Sequence, residues 1–394
     1  MNRPVRVVVL DHTAQLGGAE LALVRLCAAL DPERVQVVVV LFAEGPLVAR
    51  LRATGVDVRV LPLARSIATT DRHAAGRSAL RAVGSAVATL PFVVRLARLL
   101  REVDADVVHA TSLKADLLAL PAARWARRPL VWHVHDRISS DYLPAGLARA
   151  LRWTARHGPA HVVVNSRATA STLLPLRQGW TLAHPGLAPD QLVADPDARP
   201  DPEPAVVGLV GRVSPTKGQL EFVRACAALA ARHPTVRFRV VGEALFDEVG
   251  YERQVRALAQ RLDLGDRLEL AGWSGDPARE MDGLSVLVHA SPVPEPFGQV
   301  VAEGLARGVP VVATRGGGIE EIAYARDGTA WCTLVEPRDV DGLTHAVDQI
   351  LLDPVTARDR SRAAWADVGE RFGIGRTAEQ VTRVWELLGS RRRG

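Results

Sequence analysis

Glu295-Pro-Phe-Gly-Gln-Val-Val-Ala-Glu303 sets two carboxylates with seven residues between them, one after an apolar strand and one inside an apolar helix. The strand reads as Ser285-Val-Leu-Val-His-Ala290. The helix runs from about Gly298 through Val300, Val301, Ala302, Gly304, Leu305 and Ala306. A helix apolar nearly all round is expected to be buried. Glu303 is then expected where an unpaired charge is costly and needs a fixed hydrogen-bond donor, which a sugar diol supplies twice over. The amides of Gly298, Gln299 and Val300 open the same helix at its positive end, which suits an anionic or hydroxyl-rich ligand. A buried Glu held in a local salt bridge is the competing reading.

Outward from this stretch, short β-branched runs alternate with amphipathic ones. The first half offers Arg6–Leu10, Val35–Leu41, Val58–Leu61, Val107–His109, Leu130–Val134 and His161–Val164; the second offers Val206–Val210, Arg237–Val241, Arg267–Leu270, Val286–His289 and Val309–Ala313. Continuous apolar strands separated by helices indicate parallel sheets covered on both faces. The expected class is α/β, with two Rossmann-like domains facing each other across a cleft. Pro185-Gly-Leu-Ala-Pro189 and the Pro- and Asp-rich Asp195–Pro204 read as the break between them. The expected limits are a first domain over 1–188, a linker over 189–204 and a second domain over 205–374. A last helical stretch, Thr377 to Leu388, ends in a basic tail expected to be solvated.

At 394 residues, two domains are the natural division, and 48% hydrophobic content fills two cores. No apolar run is long enough to span a membrane. The N-terminal strand is too short for a signal-peptide core. Cys27, Cys226 and Cys332 lie in apolar surroundings and read as buried thiols in a reducing cytoplasm. Charge divides unevenly: residues 1–190 hold 24 Lys+Arg against 14 Asp+Glu, net +10, whereas residues 191–394 hold 25 against 30, net −5. A basic first half suggests an anionic partner, free or lipid-linked, or peripheral contact with the inner face of a membrane. Pro91–Arg101 carries Phe92, Leu96 and Leu99 on one face and Arg95, Arg98 and Arg101 on another. It reads as a lipid-docking helix or as a helix packed on the sheet. Nucleic acid is not expected as a partner, because aromatics are only 5% and no nucleic-acid module is recognisable.

Four further motifs end strands. Leu16-Gly-Gly-Ala-Glu20 opens a helix, and Gly17 and Gly18 leave backbone amides bare for a phosphate or simply make a tight turn. Gly208-Leu-Val-Gly-Arg-Val-Ser-Pro-Thr-Lys-Gly218 is neither a dinucleotide fingerprint nor a P-loop. It nonetheless puts Arg212 and Lys217 at the carboxyl end of a strand, where such sheets bind ligands. Trp132-His-Val-His-Asp136 turns His133 and His135 to one face; with no third ligand evident, zinc is not indicated, and a structural His remains the alternative. Thr314-Arg-Gly-Gly-Gly-Ile-Glu-Glu321 allows close backbone approach or is a flexible turn.

Taken together, these residues resemble the retaining glycosyltransferases of family 4, which have the GT-B fold. The pattern E-x-F-G-x-x-x-x-E is that family's signature, and the resemblance covers nearly the whole chain. It implies that Glu295 and the loop through Phe297, Gly298, Gln299 and Val300 hold the donor sugar, and that Glu303 holds the ribose of a nucleotide. It implies Arg212 and Lys217 on the leaving diphosphate, Gly17 and Gly18 facing that diphosphate, and His135 touching the donor sugar. It places the last helix, 375–394, back on the first domain. It implies a UDP- or GDP-sugar as co-substrate and no metal or other cofactor; no Asp-x-Asp motif follows a strand here. Two places depart from the pattern: His184-Pro-Gly-Leu187 replaces the usual Asn-Gly-Val-Asp, and Glu243-Ala244 follow Gly242 where a further glycine is common.

The expected activity is therefore metal-independent transfer of a hexose with retention, from a nucleotide sugar to an acceptor held by the first domain. A GT-B phosphorylase, a sugar-nucleotide epimerase and a non-catalytic sugar-nucleotide-binding protein are the rivals. An NAD-dependent oxidoreductase fails on the missing glycine fingerprint.

Overall fold

A computed structural model describes residues 3–63, 79–140, 142–199, 201–245 and 248–393. The chain divides into two compact units, Met1–Gly186 with Ile374–Gly394, and Leu187–Gly373. The first unit holds β1 (Val5–Asp11), β2 (Val35–Leu41), β3 (Asp57–Val60), β4 (Val107–Ala110), β5 (Leu130–Val134), β6 (His161–Val164) and β7 (Trp180–Leu182). They form one parallel sheet in the order β3-β2-β1-β4-β5-β6-β7. Alternation along the strands explains the two-sided burial. Val8, Leu10, Val38 and Val40 pack on one face, and Val7, Val9, Val39 and Leu41 on the other.

The second unit holds β8 (Val206–Val210), β9 (Arg237–Val241), β10 (Leu268–Gly272), β11 (Val286–His289), β12 (Val311–Thr314) and β13 (Thr333–Val335). Its order is β10-β9-β8-β11-β12-β13, again all parallel. Strand β13 is absent from the sequence reading. It is three residues long and only partly apolar, so it carries no run to recognise.

The helix Ile374–Arg393 belongs to the first unit. Ala378, Val381, Val384, Trp385 and Leu388 pack with Val5, Val7, Val9 and Val107. The tail is not simply solvated: Arg392 donates to Asp104, to the Ala105 carbonyl and to the fully buried Asp106. Gly394 lies outside the described residues. Residues 189–204, expected as a linker, are held by the second unit. The Val193 amide bonds to Ala306, the Trp365 indole to Val193, and Arg199 to the carbonyls of Asp282 and Leu284.

The lipid-docking reading of Pro91–Arg101 is corrected. Phe92, Leu96 and Leu100 are buried against the sheet, and Leu99 packs beside them, so the apolar face is spent on the core. Arg95 and Arg101 bond to the carbonyls of Pro62 and Trp125. Among the described residues no helix is long and apolar enough to cross a membrane. All three cysteines are buried free thiols, and burial pushes Cys27 up to about 12.

Candidate active site

In the second unit the loops after β8, β11 and β12 converge at the carboxyl edge of the sheet. The Lys217 ammonium meets Glu295 Oε1 at 2.5 Å, and His289 Nε2 lies 3.6 Å from the same oxygen. His289 ends β11, and its Nδ1 is 3.2 Å from the Thr314 hydroxyl at the end of β12. Burial alone would raise the Glu295 carboxyl; Lys217 and then His289 outweigh it and hold the group well below the usual carboxylate range. Glu295 therefore stays charged. His289 went unrecognised in the sequence because it sits in an ordinary strand run.

The loops are pinned by backbone. The Ser291 hydroxyl lies 2.6 Å from the Thr216 carbonyl. Gly218 has φ +74°, and a Cβ there would stand 1.8 Å from the Ala290 carbonyl oxygen, which explains the Lys-Gly order. The glycine-rich turn after β12 approaches the chain itself: the Gly318 amide donates to the Glu295 carbonyl at 2.9 Å. Gly317 has φ +71°, and a Cβ on it would lie 1.8 Å from the Glu295 carbonyl oxygen. Gly317→Ala combines left-handed strain of about 1–2 kcal/mol with that clash. It is expected to lower unfolding free energy by at least ~2 kcal/mol in urea denaturation. An alanine variant as stable as the parent would show that the loop has slack.

Arg212 lies nearby on the loop after β8, its Nε 3.4 Å from Glu248 Oε2. The helix Gln299–Ala306 starts at Gly298, and Gln299 and Val300 form its half-buried first turn. The Phe297 ring is buried edge-on against Phe372, with centroids 5.5 Å apart, so its contribution to a ligand is confined to the main chain. Glu303 is half-buried rather than buried. Its Oε1 accepts from Gln191 Nε2 at 2.8 Å, a partner from the segment read as linker and missed for that reason. A shallow cleft lined by Val213, Gly242, Glu243, Arg256 and Gly272 among others opens at the ends of β8, β9 and β10.

Gly17, Gly18 and His135 belong to the first unit. Gly17 caps the helix Gly18–Ala28, but the anion at its amide is the chain's own Glu20 carboxyl. Burial, with Asp11 and Asp136 nearby, pushes that carboxyl up to about 7. Asp116, which is 1% exposed, has no partner for either carboxyl oxygen among the described residues, and burial raises it well above its usual range. The carboxyl edge of this sheet thus gathers several carboxyl groups although the half-chain is basic. His135 follows β5. Its carbonyl accepts from Asn165 at 2.9 Å, its ring lies against His133 with centroids 4.1 Å apart, and burial lowers its pKa. Ser166 caps the next short helix at the Thr169 amide, a local structural task.

Comparison with known proteins follows the same division. The family model "Glycosyl transferase 4-like domain" matches residues 17–180, and "Glycosyl transferases group 1" matches residues 193–367. The chain is 29% identical over 322 residues to the GDP-mannose-dependent alpha-(1-6)-phosphatidylinositol monomannoside mannosyltransferase of Mycolicibacterium smegmatis, covering 76% of this chain and 80% of that protein. It superposes on HepE of Anabaena, solved with UDP and glucose, with TM-score 0.82 at 24% identity, over 97% and 99% of the two chains. Sucrose-phosphate synthase from Thermosynechococcus elongatus gives TM-score 0.77 at 20% identity over 98% and 100%. Two parallel α/β units, two family models that divide the chain between them and these fold neighbours place it together: the chain belongs to the GT-B-fold glycosyltransferases of the family 4 type, enzymes that take sugar from a nucleotide-sugar donor.

Proposed function

We propose that this enzyme moves a hexose, with retention and without a metal ion, from a UDP- or GDP-sugar to a hydroxyl of an acceptor bound by the first unit. The observation that carries the reading is the Lys217–Glu295 pair beside the start of the helix Gln299–Ala306. A fixed cation and helix amides suit the charge that develops on a departing diphosphate. A carboxylate kept ionised among them suits sugar hydroxyls. Arg212 and Lys217 stabilise the diphosphate, Glu295 and the main chain from Phe297 to Val300 hold the sugar, and Glu303 holds the ribose. The cleft at the ends of β8, β9 and β10 seats the base. The anomeric C–O bond to the diphosphate breaks, the acceptor oxygen bonds to the same face of that carbon, and the acceptor proton passes to the departing phosphate.

The test needs no acceptor. Given UDP- and GDP-sugars in water, the enzyme is expected to hydrolyse its own donor slowly, and NMR of the first-released sugar to show the donor's anomeric configuration. An inverted first product excludes retention. Phosphate-dependent release of sugar phosphate would instead mark a phosphorylase.

A further inference from the structure

Trp385 Nε1 lies 3.1 Å from His109 Nδ1, and His109 Nε2 lies 3.2 Å from His133 Nδ1. An indole nitrogen only donates. His109 Nδ1 therefore accepts, and a neutral His109 carries its proton on Nε2. That proton points at His133 Nδ1, so His133 also carries its proton on Nε2. The direction of the chain is fixed at its first link. Trp385 and His109 are fully buried, and His133 is 5% exposed. The rings meet edge to face, with centroids 5.4 Å apart for Trp385 and His109 and 5.2 Å for His109 and His133. His133 then lies against His135, with centroids 4.1 Å apart and planes tilted by 33°.

His133 Nε2 has no partner among the described residues. His133 also lines a small cavity together with Thr111, His135, His184 and Thr377. A buried donor without an acceptor costs free energy comparable to a lost hydrogen bond, so its retention beside a cavity calls for an oxygen there. Burial and the neighbouring imidazoles disfavour the charged form of both His109 and His133, which agrees with two neutral rings.

We propose that Trp385, His109 and His133 form a positioning relay. The last helix fixes the tautomer of His133 through His109, and His133 in turn holds the His135 ring and presents Nε2–H to an oxygen in the cavity. Trp385 and His109 act only through His133, which acts on the His135 ring and through its own Nε2–H. The relay rests on the reading of His135 as a sugar contact, but its spectroscopic test does not.

Long-range proton–nitrogen correlation on the full chain with labelled histidine reads the tautomers directly. His109 and His133 are both expected to be protonated on Nε2. In Trp385→Phe, which keeps a ring but removes the donor, His133 is expected to exchange between tautomers. The kcat for hydrolysis of whichever UDP- or GDP-sugar the wild type turns over is expected to fall about tenfold, with KM changed by less than about twofold. A wild-type His133 protonated on Nδ1 overturns the relay, and this measurement needs no substitution should Trp385→Phe fail to fold. A folded Trp385→Phe with an unaltered His133 tautomer or an unaltered kcat overturns it as well. A wild type that turns over no UDP- or GDP-sugar defeats the proposed donor class and not the relay, which the tautomer measurement decides by itself.

Discussion

Replacing Lys217 with alanine is expected to slow sugar transfer about 100–1,000-fold at saturating donor, the cost of roughly 2.7–4 kcal/mol found when one preorganised electrostatic contact is removed from a site of developing charge. The effect should fall on kcat, because the diphosphate gains charge as the glycosidic bond breaks and the lysine meets it most strongly then. The structure adds a second consequence. Lys217 is the nearest cation to Glu295, at 2.5 Å, and holds that carboxylate ionised in spite of its burial. Without it, the carboxyl is left with His289 at 3.6 Å and the effect of burial. Removing one partner from a buried pair typically costs about 3–5 kcal/mol; Lys217 is 29% exposed, so the loss here should be nearer 1–2 kcal/mol.

The two consequences separate by pH. Glu295 has a depressed folded-state pKa, so its pair contributes fully above the unfolded carboxylate value of about 4.3 and fades as pH falls toward the folded one. Wild-type stability should show that acid-side loss, and Lys217→Ala should show much less of it. Lys217→Met with Glu295→Gln should recover much of the stability without recovering the rate. A Lys217→Ala enzyme that folds and turns over donor at the wild-type rate would remove Lys217 from the reaction.

Much of this was legible in the chain, for reasons that differ by region. The buried parallel strands were visible because both faces are covered, which calls for nearly continuous apolar runs; β1 has four valines in seven residues and β2 has five. Strand β13 was not, being short and mixed. Arg212, Lys217 and Glu295 stood out by spacing, but spacing cannot show that Lys217 and Glu295 meet. That contact depends on two glycines, at 218 and 317, whose neighbours are backbone atoms distant in sequence. The +10 of the first half averages over a whole surface and does not show how charge is placed locally. The local fact is Asp11, Glu20, Asp116 and Asp136 gathered at one sheet edge. The His109–His133 contact joins adjacent strands, β4 and β5, through their pleat, and its link to Trp385 spans 276 positions. No short-range pattern can announce it.

Glu303→Ala should behave unlike Lys217→Ala. The ribose does not react, so its hydrogen bonds to Glu303 are alike in the ground and transition states. Losing hydrogen bonds to a charged acceptor costs about 1.5–3 kcal/mol, which weakens donor binding roughly 10–150-fold and leaves kcat at saturation within a few-fold. Folding should survive. Glu303 is only half-buried, and its protein partner, the Gln191 amide, is itself partly exposed and can turn to water. Gln191→Ala is expected to weaken the donor less, because it removes the group that orients Oε1 but keeps the carboxylate. Calorimetric titration with UDP and GDP, beside steady-state kinetics, reads both parts. A Glu303→Ala enzyme with wild-type nucleotide affinity and a collapsed kcat would place this carboxylate at the reacting carbon instead, and the assignment of the helix Gln299–Ala306 to the nucleotide would fall with it.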